Sequence, residues 1–170
     1  MISPSLPPEY LDVVDAQDKV IDCQLRTDVH RLGLCHRAVH ILVFNLQGDI
    51  YLQQRSSQKS SFPNCWDSSA AGHVDAGEDY LQAAQRELGE ELQVVEPLEA
   101  LFKLDASPIT TNEFCFVYKC ITTQIPVPDR VEIAQAGWFT PAFVAEWIQR
   151  ESLAFTPIFR IIWSKLSKSS

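Results

Sequence analysis

The sequence predicts an α/β (α+β) fold, a mixed β-sheet sandwiched between helices in α/β/α layers. Three observations lead there. Short β-branched or alternating segments bounded by turn residues recur along the chain, a charged helix interrupts them over residues 79–92, and two Thr-Pro pairs open helices near the end. Strands mixed with few helices bury their apolar faces most simply as one sheet covered by helices.

Each element has its own signal. Residues 1–9 carry Pro4, Pro7 and Pro8 and read as a flexible arm. Residues 10–26 read as two short strands around the polar turn 15–19. Residues 38–46 are β-branched and apolar; with Gln47-Gly48-Asp49 as a turn and 50–54 alternating, they form a hairpin. Residues 55–67 are polar, include Pro63, and read as a loop leading into a short strand over 69–72. In the helix 79–92, Leu81, Ala84, Leu88 and Leu92 form the stripe expected to pack on the sheet. Strands follow at 98–104 and 113–121, and another ends at Trp138-Phe139. Thr140-Pro141 and Thr156-Pro157 each supply an N-cap followed by proline at the first helical position, opening helices over 142–150 and 158–166. Residues 1–170 thus read as a single domain, with a core over roughly 30–150 and C-terminal helices over roughly 141–167.

Composition narrows the function. A chain of 170 residues is long enough to bury a full core. Its net charge of −8 argues against a nucleic-acid partner, and any phosphorylated substrate must be drawn in by local cations or a metal. Five cysteines, with no Cys-x-x-Cys pair, suggest neither a disulfide framework nor a zinc knuckle. No signal-peptide pattern opens the chain and no apolar run reaches membrane-spanning length, so the expectation is a cytoplasmic protein without a membrane partner.

The chemistry concentrates in residues 72–94, GHVDAGEDYLQAAQRELGEELQV. Glu87, Glu90 and Glu91 are three and four residues apart and share a helical face. Like charges at that spacing cost a bare helix about 0.2–0.5 kcal/mol per pair. A hard divalent cation offsets this well: Mg²⁺, with Mn²⁺ as the alternative, takes oxygen ligands and is held by a few carboxylates plus substrate phosphates. Charge runs are more often simply solvated. A solvated face, however, has no use for Arg86 among the acids or for the lead-in loop 72–78.

The stretch closely resembles the Nudix box. Gly72, Glu78, Arg86, Glu87, Leu88, Glu90, Glu91 and Val94 stand in register with that signature, and Gln93 replaces the glycine that ends the helix. The resemblance implies a Nudix-like α/β/α sandwich and Mg²⁺-dependent hydrolysis of a diphosphate linkage, in a nucleoside-diphosphate-type or other small-molecule diphosphate, by metal-activated water. Glu87, Glu90 and Glu91, with the Gly72 carbonyl, are the implied metal ligands. Glu90, Glu91, Arg86 and Glu132 are the implied catalytic set, although Glu132 as a loop acid reads equally well as inert.

A second, more diffuse resemblance runs over residues 29–118, through HRAVHILVFN, LQQRSSQKSSFPNCWDSSAAGHV and NEFCFVY, to the isopentenyl-diphosphate isomerase branch of the same superfamily. It implies a second metal site at His36, His73 and Glu113, with His30 at altered spacing, and a diphosphate grip by Arg55 and Lys59. The bland readings are a sheet histidine at His36 and His40, a loop-shaping His73, an end cap at Glu113 and surface cations at Arg55 and Lys59. One position departs from that branch. Ala71 stands where the isomerase carries its catalytic cysteine, and alanine can neither donate nor accept a proton, so hydrolysis is the expected chemistry and isomerase-like binding of prenyl diphosphates the alternative.

Overall fold

A computed structural model describes residues 7–168. The arm reading of 1–9 falls mostly on residues 1–6, outside the described residues. In chain order the elements are β1 (Tyr10–Val14), β2 (Val20–Leu25), α1 (Arg26–Leu32), β3 (His36–Phe44), β4 (Ile50–Arg55), β5 (Trp66–Asp67), β6 (Ala70–His73), α2 (Tyr80–Leu92), β7 (Glu99–Leu104), β8 (Glu113–Ile121), β9 (Ile133–Phe139), α3 (Pro141–Arg150) and α4 (Pro157–Lys168). The mixed sheet between helices is the predicted class.

The main sheet runs β5-β4-β3-β8-β7, with β6 also paired to β3 and β9 to β4. β3 lies parallel to β8 and antiparallel to β4 and β6, which share its other edge: β6 pairs with 38–41 and β4 with 43–44. β1 and β2 form a separate antiparallel hairpin. Alternation along β3 divides the core in two. Val39, Ile41 and Val43 pack with Ala83, Ala84, Leu88 and Leu92 of α2, whereas Ala38 and Leu42 pack with Val144 of α3 and Phe159, Ile162 and Trp163 of α4. Full burial of Leu88 and Leu92 contributes about 1.5–3 kcal/mol each.

α2 begins as expected. The Asp79 side chain accepts from the Gln82 N–H, and the Gln82 side chain accepts from the Asp79 N–H, a complete capping box. It ends at Gln93 in the left-handed conformation, φ +55°, at a cost of about 1–2 kcal/mol that glycine would avoid. The apolar stripe needs one correction: Leu81 is 41 % exposed and Ala83 takes a core place instead. Angular periodicity does not say where along its axis a helix is covered. Thr140 caps α3 by accepting from the Phe143 N–H, and Thr156 does the same for α4 from Phe159.

α1 has no counterpart among the predicted elements. It is seven residues long, lacks a side-chain cap, and includes the β-branched Thr27 and Val29. Its position follows from packing: Val29 buries with Leu11, Val13 and Leu34.

Candidate functional site

On the α2 face, the carboxylates of Glu87 and Glu91 are turned toward the sheet. Gly72 pairs with Val39 and so faces α2, and a Cβ at this position would overlap the Glu87 carboxylate. Only glycine lets the carboxylate lie on the strand. One turn on, Glu91 is 7 % exposed, accepts 2.5 Å from Gln53 Nε2 and accepts from the Ala71 N–H. Burial, with Glu87 close by, pushes its carboxyl up to about 8. Burial also raises Glu87, against the pull of Arg86.

Arg86 organises the remaining acids. Its guanidinium donates to both oxygens of Glu78 (2.8 and 2.9 Å), to Glu87 Oε1 (2.7 Å), to Glu90 Oε2 (3.3 Å) and to the His73 carbonyl (3.0 Å). The bidentate Glu78 pair ties the box loop to the helix. Glu90 remains mostly in solvent, its side chain 62 % exposed. The three glutamates therefore do not converge on one point here. Like charges spread, and Arg86 draws in one oxygen each from Glu87 and Glu90.

The second group is already gathered. In strand register His36 lies opposite Glu113, and His73 lies opposite Ala38. These residues are the first of β3, the first of β8 and the last of β6, so they meet at one end of the sheet. By alternation they share the parity of Ala38, Cys115 and Val117, the face turned away from α2. His30 arrives from α1. Ligand atoms of His30, His36, His73 and Glu113 lie within 4.8 Å of one another, the one such group among the described residues. Glu113 Oε1 is 3.3 Å from His36 Nε2 and 3.4 Å from His73 Nε2, and His30 Nε2 is 3.3 Å from His73 Nε2.

One atom tests whether a cation suits these residues. His36 Nδ1 is 2.9 Å from the Leu34 carbonyl, which can only accept, so Nδ1 carries a proton, and in the neutral ring the lone pair sits on Nε2. That Nε2 is buried and makes no well-directed hydrogen bond. An orphaned lone pair facing two imidazoles and a carboxylate suits a divalent cation of the nitrogen- and oxygen-binding kind. Electrostatics agree. Burial works against charge on both His73 and Glu113, but Glu113 and Glu9 raise His73 to about 9, and His36 and His73 hold Glu113 well below the usual carboxylate range. Burial, reinforced by His73 and His36, lowers His30 to about 4.

The remaining sequence candidates fall around these groups. Lys59 and Glu132 pair with each other, and burial lowers the Lys59 pKa despite the attraction of Glu91 and Glu87. Arg55 donates twice to the Ser61 carbonyl (3.1 and 2.9 Å) and lies 3.7 Å from Asp67, so it also shapes the loop. A cleft of about 300 Å³ runs past His30, His36, Ser61 and Asn112. His40 is buried against Ser68 Oγ at 2.5 Å, the bland reading of a satisfied sheet histidine. Gln53, Glu9 and Arg26 escape sequence reasoning. A strand glutamine, an N-terminal acid and the first residue of an unrecognised helix carry no local signal, and only register and chain path bring them in.

The NUDIX domain family model matches residues 35–156. The chain is 32 % identical to an uncharacterized Nudix hydrolase of Nostoc sp., over 91 % of this chain and 94 % of that one. It is also 31 % identical to an isopentenyl-diphosphate Delta-isomerase of Halorhodospira halophila, covering 89 % and 91 % respectively. A protein of Deinococcus radiodurans of known crystal structure superposes with a TM-score of 0.73 at 34 % identity, over 84 % of this chain and 90 % of that one. No helix among the described residues is long and apolar enough to cross a membrane.

Proposed function

The chain belongs to the Nudix family of hydrolases acting on pyrophosphate bonds, and on that premise we propose that it cleaves a diphosphate linkage in a small organic substrate with Mg²⁺ or Mn²⁺. The observation that carries this reading is Glu87 pressed against Gly72 with the buried Glu91 one turn on. Two crowded carboxylates with raised pKa values are a poor structural choice and a good cation cradle. When bound there, a divalent cation lowers the pKa of water and neutralises charge building on phosphoryl oxygens.

In this reading Glu87, Glu90 and Glu91, with the Gly72 carbonyl, hold the ion. Arg86, locked to Glu78, keeps the box loop and helix in register. Glu90 and Glu91, beside the ion, are candidates to take the proton of the attacking water. Glu132, paired to Lys59, is the other candidate base. Arg55 and Lys59 supply the positive charge that a diphosphate needs on a chain of net charge −8. His36, His73 and Glu113, joined by His30, form a second cation site. The substrate is a small molecule met in the cytoplasm, without nucleic-acid or membrane partners.

The test is a panel of diphosphates incubated with Mg²⁺- or Mn²⁺-loaded protein. The expected result is metal-dependent release of phosphate or a monophosphate; no release from any member overturns the reading. A second reading, an isomerase-like protein acting on prenyl diphosphates, is favoured by the histidine group and by the isomerase relatives. Against it stands Ala71. Loss of an acid–base group removes about 10²–10⁴-fold of rate, and Cys65 Sγ instead lies 3.8 Å from the Leu153 carbonyl. Isomer exchange between isopentenyl and dimethylallyl diphosphate, followed by NMR, should be absent. Robust exchange would replace the hydrolase reading with this one.

A further inference from the structure

We propose that Glu9 is the positioning residue of His73, resting on the reading of His30, His36, His73 and Glu113 as a cation site. The two nitrogens of an imidazole lie on opposite edges of the ring. His73 Nε2 faces His30 and Glu113, whereas His73 Nδ1 faces away and lies 3.5 Å from Glu9 Oε1. A carboxylate at Nδ1 fixes the ring so that Nε2 is aimed at the other three side chains, and when a cation binds it favours the tautomer with the proton on Nδ1. Glu9 thus works from behind the ring and not as a fifth ligand.

Glu9 is itself held. Its other oxygen, Oε2, is 3.4 Å from Arg26 Nη1, and its carbonyl accepts from the Arg26 N–H at 2.9 Å. The strand that follows is stitched along the box loop. The Tyr10 carbonyl accepts from the Ala76 N–H (2.9 Å), Leu11 bridges to Asp75, and Asp12 Oδ2 accepts from the Gly77 N–H (3.0 Å). The far end of the hairpin is anchored as firmly: Asp18 accepts from Arg37 (2.6 Å), Tyr80 (2.8 Å) and Lys103 (2.8 Å). The hairpin β1–β2 is therefore a strap fixed at both ends, and Glu9 is the point at which it meets the histidine group. His73 is also where the strap reaches the glutamate face, since its carbonyl takes the Arg86 bond.

The experiment titrates the full chain with Mn²⁺ and resolves the two classes of site with His36→Ala as reference. Glu9→Ala should weaken the histidine site about 10–100-fold, the usual effect of losing a partner behind a metal-binding histidine. It should leave the glutamate site unchanged. Glu9→Gln, which keeps an oxygen to accept from Nδ1, should recover part of that loss. In ¹⁵N-histidine NMR spectra of the metal-free protein taken above pH 9, where the ring is neutral, His73 should carry its proton on Nδ1 in the wild type and lose that preference in Glu9→Ala. Wild-type affinity and unchanged His73 spectra in Glu9→Ala overturn the proposal alone. A wild type with no cation affected by His36→Ala overturns the cation-site reading itself, and the proposal with it.

Discussion

On the α2 face Glu87, Glu90 and Glu91 come from successive turns of one helix, whereas on the opposite face His30, His36, His73 and Glu113 come from four separate elements. The two groups meet the same electrostatic problem differently. The glutamates carry one sign of charge, and in the metal-free fold they relax by spreading, by pairing with Arg86 and by raising the Glu91 pKa. The histidine group mixes signs: Glu113 and Glu9 balance His73, and the ligand atoms stay gathered. In the proposed function the first arrangement takes a cation to complete it, whereas the second is already gathered. Local spacing can build the former, but only strand register can build the latter.

The largest expected effect falls on the glutamate side alone. Glu91→Gln should lower hydrolysis by about 10²–10⁴-fold, the scale of a lost acid–base group. The melting temperature should hold or rise, because the cost of burying an ionisable carboxyl beside Glu87 is removed. Activity within tenfold of wild type would return Glu91 to a structural role.

Gly72→Ala should be nearly as damaging, about 10²-fold, since the new Cβ displaces the Glu87 carboxylate and small misplacements cost that much. Cation affinity at the histidine group should be unaffected. Loss at both sites would mean that the two faces are not independent.

Much of the glutamate side is legible in the sequence because its determinants are local. The Asp79 cap, the 87-90-91 spacing and the Thr-Pro starts of α3 and α4 lie within a turn or two of what they control. The family comparison then agrees with the box read from those residues. The histidine side is legible only through resemblance, which picks out His36, His73 and Glu113, with His30 at altered spacing, but not why they meet. His30 rides on a helix too short and too β-branched to signal itself. Gln53 reaches Glu91 because of its parity on β4, and Glu9 reaches His73 because a hairpin folds back across the box loop. Neither is a property of nearby sequence.

A smaller effect probes the loop beside both groups. If Arg55 grips the diphosphate as well as the Ser61 carbonyl, Arg55→Ala should raise KM and weaken a non-hydrolysable analogue by about 1–3 kcal/mol. An unchanged KM and analogue affinity would confine Arg55 to shaping the loop.

The mildest test uses pH. Burial works to lower His73, yet Glu113 and Glu9 raise it to about 9, so its stabilising contribution is complete below pH 6.5 and lost as pH rises through 9. Glu91, raised to about 8 by burial and Glu87, acts in the same direction, with its contribution lost between about 4.5 and 8. The metal-free melting temperature should therefore fall between pH 6.5 and 9, and Glu91→Gln should flatten part of that fall. A melting temperature that rises over this range would contradict both assignments.

The central claim, two separate cation sites on two faces of one sheet, is tested most directly by counting Mn²⁺ bound per chain at saturation by equilibrium dialysis. The wild type should bind two ions, and each double variant, Glu87→Gln with Glu91→Gln or His36→Ala with His73→Ala, should bind one. A wild type that binds a single ion, lost in both double variants, would contradict it.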